Sequence, residues 1–202
     1  MDAKQANDIF KESIKNYHKT DDINFQIQNP YSPDTINNLL YLKNWIDTVQ
    51  WHLEDEIRSP HISSSELVNI KRRIDKSNQD RTDIVEKIDD WLLEEFKNIK
   101  PKENARMNSE TPAWLLDRMS ILQLKIYHFK EQTERKEASE EHILKANKKL
   151  EILLDQEKDL IQCFDELIDD FKKGEKFMKV YRQMKMYNDP NLNPILYSDN
   201  RQ

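Results

Sequence analysis

One glycine, Gly174, stands in 202 residues, and that scarcity excludes more than any other property of the chain. Neither GxxxxGK nor GxGxxG can be written with one glycine, so there is no phosphate-cradling loop of either kind. Tight turns and bulges also consume glycine, which argues against a β-rich or loop-rich fold. Cysteine is equally scarce: Cys163 is alone, so there is no internal disulfide, and the usage fits a reducing compartment. Between Leu160 and Leu167 it reads as a small buried hydrophobe. No stretch approaches about 18 apolar residues, and the opening MDAKQANDIFKESIKNY has no apolar signal region. A soluble, cytoplasmic protein without membrane insertion is expected. The net charge of −6 has both signs interspersed and offers no basic surface for nucleic acid. The densest basic run, Lys71-Arg72-Arg73, is flanked by Glu66 and Asp75 and reads as a solvated helix face.

What the chain does have is helix. Hydrophobic content of 37% beside 35% charged residues suits long helices with wide solvated faces. The expected fold class is all-α: one domain over 1–202, a bundle of about five or six mostly antiparallel helices with a C-terminal tail packed back on it. A short amphipathic helix at 3–17 carries Ile9, Phe10, Ile14 and Tyr17. Residues 18–34, with Pro30 and Pro33, read as an ordered extended connection because Phe25, Ile27 and Tyr31 need packing partners. A core helix at about 34–58, capped by Asp34 or Thr35, has the grid Leu39, Leu42, Ile46, Val49, Leu53, Ile57. The next, at 63–99, opens with the capping box Ser63-x-x-Glu66 and stops before Pro101. Thr111-Pro112 starts a helix at 112–133, with proline where its missing N–H costs nothing. Residues 134–140 read as a break with Ser139 as cap, a continuous helix being the alternative. A helix at 140–173 has Ile143, Ala146, Leu150, Leu153, Leu160, Phe164, Leu167 and Phe171 on its grid and Glu157 as its polar intruder. Gly174 closes it. A last short helix at 175–187 leads into the tail of 175–202, where Ile195, Leu196 and Tyr197 should pack back on the bundle.

Polar residues interrupt the core grids. In 63–99 the grid runs Leu67, Ile70, Ile74, then Ser77 and Arg81, then Ile84, Ile88, Trp91. The helix at 112–133 is apolar nearly all round, so it belongs in the middle of the bundle, yet it carries Asp117, Arg118, Ser120, Gln123, Lys125 and His128. Buried charges are costly unless paired. Asp55 and Asp75 are candidate partners for Arg118, and Arg58 and Arg81 for Asp117. Two readings stay open. One is a buried ionic network that fixes helix register. The other is a ligand pocket between helices, lined by His52, Asp55, Arg58, Asp75, Asn78, Arg81, Asp117, Arg118 and His128. Arginine and lysine inside a bundle suit a phosphate or carboxylate, so a small anionic ligand is the expected partner. A protein partner or a homodimer belongs to the competing reading of a non-catalytic interaction module.

No HExxH, di-iron ExxH pair, cysteine metal spacing or serine-nucleophile motif is present, and no residue pattern names a reaction. The metal signal is weak. Asp83-x-x-Glu86-x-x-Asp89 places three carboxylates on one drifting helical edge, where Mg²⁺ could bind, or where they form a solvated acidic face.

The runs LYLKNWIDTVQWHLEDEIR (40–58), KRRIDKSNQDRTDIVEKIDDWL (71–92), NSETPAWLLDRMSILQLKIYH (108–128) and VYRQMKMYNDPNLNP (180–194) resemble a bacterial family met mainly in Bacteroidetes. It is catalogued as the domain of unknown function numbered 4254. The resemblance rests on the WH-x-ED, ID-x-x-NQ-x-R-x-D and SETP-x-x-x-x-DR blocks. It covers Trp51, His52, Glu54, Asp55, Arg58, Asp75, Asn78, Gln79, Arg81, Asp83, Ser109, Glu110, Thr111, Asp117 and Arg118. It implies an all-helical domain with no established activity. It also implies proximity to envelope-glycan biosynthesis, which points to sugar phosphates or nucleotide sugars as ligands. A second, fainter resemblance is to all-α nucleoside-triphosphate pyrophosphohydrolases, whose ExxD pair Glu86-x-x-Asp89 could match. The preceding ExxE is missing, since Glu54-Asp55-Glu56 has the wrong spacing.

Overall fold

The computed structural model describes residues 1–186 and 189–198, and its described residues form six helices and one pair of short strands. The order is α1 (Ala3–Tyr17), α2 (Ile36–Glu56), α3 (Ser64–Phe96), β1 (Arg106–Asn108), α4 (Pro112–Thr133), α5 (Glu140–Lys172), β2 (Lys176–Met178) and α6 (Pro194–Ser198). The protein is all-α in class. The short connections at 57–63 and 134–139 turn α2 back on α3 and α4 back on α5, and both pairs pack along their lengths.

Local chemistry fixes the boundaries. Asp2 accepts from the Gln5 N–H at the start of α1, and Thr35 accepts from the Asn38 N–H at the start of α2. The Ser63–Glu66 capping box forms in full, each side chain satisfying the other's backbone N–H. Pro112 occupies the first turn of α4. The break after α4 is real: Ser139 accepts from the His142 N–H and opens α5. Gly174, at φ +68°, ends α5 with its backbone pressed against the Lys100 carbonyl.

α4 touches α1, α2, α3 and α5, which is why it is buried nearly all round. The main core joins Phe10 and Tyr17 of α1, Leu40, Tyr41 and Trp45 of α2, Val85, Ile88 and Leu92 of α3, Leu116 and Met119 of α4, and Phe164 and Phe171 of α5. Phe25, Ile27 and Tyr31 of the extended 18–34 connection pack against it. A smaller cluster of Leu53, Ile70 and Ile74 holds the α2–α3 hairpin at the other end.

Several sequence expectations are corrected. The deepest stripe of α2 is Leu40, Tyr41, Lys43, Asn44, Asp47 and Thr48; Leu39, Leu42, Ile46, Val49 and Ile57 are only half-buried. The stripe is rotated because polar residues, not leucines, meet α4. Cys163 is exposed, since α5 packs along one narrow face and Cys163 lies off it. Residues 175–185 form no helix, and residue 187 lies outside the described residues. Gly174 instead turns the chain into β2, which pairs in parallel with β1, and 179–185 continues as an extended strap along α3. Ile195, Leu196 and Tyr197 are exposed, because the core is closed without them. Among the described residues no helix is long and apolar enough to cross a membrane.

Candidate functional site

The polar interruption of α3 is explained by what faces it. Ser77 donates to Gln50 Oε1 at 3.0 Å, and the Gln50 amide donates to Asn78 Oδ1 at 2.8 Å. One turn on, Arg81 reaches into a buried charge network. Its Nε lies 2.9 Å from Asp47 Oδ1, and its Nη2 donates to both oxygens of Asp117 at 2.9 Å. Lys43, wholly buried, pairs with Asp47 one turn along α2 and with Asp117 Oδ1 at 2.9 Å. Ser120 donates to Asp47 Oδ2 at 2.6 Å, and Asn44 donates to Ser120 Oγ at 3.0 Å. Two acids meet two bases, and burial pushes the Asp47 carboxyl above its ordinary value despite Lys43 and Arg81. Burial pulls the Asp117 carboxyl upward, but Lys43 and Arg81 outweigh it and hold Asp117 below its ordinary value.

The network opens to solvent at one edge. A pocket of about 180 Å³ is lined by Asn78, Arg81, Thr82, Trp114, Asp117, Gln183 and Lys185. Lys185, on the strap, donates to the Asn78 carbonyl at 3.0 Å and to Thr82 Oγ1 at 2.6 Å, and meets no carboxylate among the described residues. The strap is anchored by Arg182 to Asp90 and by the Gln183 N–H to Glu86 Oε1 at 2.9 Å. Arg81 Nη1 and the Asn78 amide N–H groups have no acceptor among the described residues.

Other expected site residues lie elsewhere. Arg58 is exposed and pairs with Glu54 at 2.7 Å. Asp75 is exposed and pairs with Lys71. Arg118 is exposed, 3.5 Å from Glu110. Of the pairings considered from the sequence, Arg81 with Asp117 forms, and neither Arg58 with Asp117 nor Arg118 with Asp55 or Asp75 does. Asp83, Glu86 and Asp89 do not converge: Asp83 accepts from Gln79, Glu86 accepts from the strap, and Asp89 is buried. Lys43, Asn44 and Asp47 were missed, whereas Ser120 was among the polar residues noted on the buried helix. The legible signal was Lys43-x-x-x-Asp47 on the same face as Leu40 and Thr48.

His52, Asp55 and His128 sit at another point of the bundle. His52 follows Asp47 by more than a turn, and His128 follows Asp117 by about three turns, roughly 16 Å of helix. His52 and His128 meet a histidine that sequence reasoning passed over, His18, at the C-terminus of α1. His52 Nε2 is 3.2 Å from His18 Nε2, and the three imidazoles are mutually edge-on. Tyr17 stacks on His52, and Trp51 stacks on His128 at a ring separation of 4.8 Å. Burial pushes the His52 and His128 imidazoles below their ordinary pKa, so both are neutral near pH 7. Beside them opens a cleft of about 290 Å³ lined by Trp51, Asp55, His128, Phe129 and Gln132.

Residues 37–180 match the family described as Protein of unknown function (DUF4254). The chain belongs to this family. No curated protein and no solved structure matches it. The matched span holds the whole charge network together with His52 and His128, and leaves His18 and the strap residues 182–185 outside.

Proposed function

We propose that this protein binds a small anionic ligand in the pocket between α3, α4 and the strap. The observation that carries the reading is a surplus of one positive charge with unused donors. Among the described residues Lys43 and Arg81 pair with Asp47 and Asp117, Lys185 pairs with no carboxylate, and Arg81 Nη1 and the Asn78 amide N–H groups meet no acceptor. Charge-assisted bonds from a guanidinium and an ammonium suit a phosphate or carboxylate group. The volume of about 180 Å³ takes such a head group, with the rest of the ligand lying over the rim. Sugar phosphates and nucleotide sugars, the class suggested by the link to envelope glycans, are the first ligands to try. The buried pairs below would then serve as a rigid mount for Arg81.

The test is calorimetric titration with inorganic phosphate, sugar phosphates and nucleotide sugars, against wild type and Lys185→Met. Lys185 is half-buried and holds the strap through two bonds to α3, so this substitution should lower the melting temperature only slightly while binding weakens at least about tenfold, one charge-assisted bond being worth about 1.5–3 kcal/mol. No binding to wild type, or equal binding to Lys185→Met, would leave the network with a structural role only. One observation favours a second reading, a non-catalytic interaction module: the outer face of α5 exposes Leu144 and Ile152. Sedimentation equilibrium of the isolated protein tests it, since a dimer is expected on that reading.

A further inference from the structure

We infer that His18, His52 and His128 form a binding site for a divalent transition-metal ion of the zinc class. The site is separate from the anion pocket and does not depend on it. Its first support is convergence. The three ligating nitrogens lie within 4.8 Å of one another, and no other group of three or more histidine, cysteine or acidic side chains does so among the described residues. Tetrahedral coordination at about 2.0–2.1 Å brings nitrogens to about 3.3 Å apart, so small ring rotations close the site.

Tautomers supply the second support. His18 Nδ1 lies 2.8 Å from the Ile14 carbonyl oxygen, which can only accept, so Nδ1 carries the hydrogen and Nε2 a lone pair. His128 Nδ1 lies 2.9 Å from Glu131 Oε2, with the same consequence. Its Nε2 is buried and has no hydrogen-bond partner. A backbone carbonyl behind one imidazole and a carboxylate behind another are the supports that metal-ligating histidines use to fix ring and tautomer. Without an ion, His52 can donate to His18 Nε2 alone, and the His128 lone pair stays orphaned. An ion at the centre satisfies all three.

The surroundings favour a cation. Asp21 Oδ1 is 3.8 Å from His52 Nε2, on a loop residue at φ +49° four residues past the end of α1. Asp55 and Glu131 add negative charge, and among the described residues no lysine or arginine pairs with the imidazoles. Three imidazoles select zinc-class ions over Mg²⁺ or Ca²⁺, which take oxygen donors. Aromatic packing explains the Trp51–His128 stack, but not three nitrogens turned on one point.

The experiment uses the full chain, stripped with a chelator and titrated with Co²⁺ and with Zn²⁺. One equivalent of Co²⁺ should bind with the visible absorption of a four-coordinate site, and Zn²⁺ should displace it. His52→Gln and His128→Gln should each weaken Zn²⁺ binding at least about a hundredfold, with His142→Gln, away from the cluster, unchanged. X-ray absorption on the zinc-loaded wild type needs no variant and should count three imidazoles. Absence of stoichiometric binding, undiminished binding by both variants, or fewer than three imidazoles around the ion would overturn the inference.

Discussion

Arg81 Nη2 sits 2.9 Å from both carboxylate oxygens of Asp117, and the same guanidinium reaches Asp47 through Nε. One side chain of α3 thus ties α2 to α4 at a core position. Arg81→Met fills a similar volume and removes the charge, leaving Asp47 and Asp117 to share Lys43. A buried, uncompensated carboxylate costs about 3–5 kcal/mol. At this chain length the melting temperature should fall by on the order of 10 °C. The double variant Arg81→Met, Asp117→Asn should recover part of that fall, because the surplus negative charge goes with Asp117. A steady melting temperature in the single variant would mean these ion pairs contribute nothing in solution.

The bundle was legible because its signals are local. Capping at Thr35 and Ser63, Pro112 in a first turn and Gly174 at a helix end are each read within four residues, and all four form. The polar patch on α3 was equally visible, since Ser77 and Arg81 interrupt an otherwise apolar grid. Its partners were not. On α2 the apolar residues Leu39, Leu42 and Ile46 drew the helix face one way, while Lys43 and Asp47 point into the core; a wheel that weights only hydrophobicity rotates the helix. The strap was misread for a different reason: pairing of 176–178 with 106–108 depends on a partner about 70 residues away, which no local pattern reveals. His18 went unseen because it belongs to no grid, lying just past the end of α1.

Glu157, the polar intruder on α5, turns out to be a hub. Its Oε1 accepts from Gln123 at 2.9 Å, Lys11 at 2.8 Å and Asn7 at 3.3 Å, joining α5 to α4 and α1. Gln123 and Asn7 are buried, whereas Lys11 is half-exposed. Glu157→Ala strands two buried amides and should cost about 2–3 kcal/mol. Lys11→Ala removes only a partly solvated ion pair and should cost less than about 1 kcal/mol. Urea unfolding of both variants checks the contrast; equal losses would show that the amides do not depend on Glu157.

The lone glycine has a backbone reason. At φ +68° a side chain is strained, and a Cβ on Gly174 would come within 2.7 Å of the Lys100 carbonyl oxygen. Gly174→Ala should lose about 1–2 kcal/mol from the left-handed conformation alone, and more from the clash. The Gly174 carbonyl also accepts from the Lys102 N–H at 2.8 Å, next to the β1–β2 pair. Amide hydrogen exchange at 102–108 and 176–178 should therefore quicken in the variant well before the helices respond. Unchanged exchange there would mean the turn does not hold the strands together.

Asp89 gives the stability a pH dependence of definite sign. Burial pushes its carboxyl up to about 6, with Asp90 and Glu86 adding to the rise and Thr111 and Arg182 opposing it. In the unfolded chain the value is about 3.9. A folded-state value above the unfolded one favours folding fully below pH about 3.9, and that advantage is lost as pH rises through about 6. Over that window the residue's contribution falls by about 2–3 kcal/mol. Asp89→Asn does not titrate, so its stability relative to wild type should improve by about 1 kcal/mol between pH 5 and pH 7.5. Urea unfolding at the two pH values measures the difference. A relative loss on raising the pH would mean that Arg182 and Thr111 stabilise the carboxylate more than burial penalises it, and would reverse the assignment.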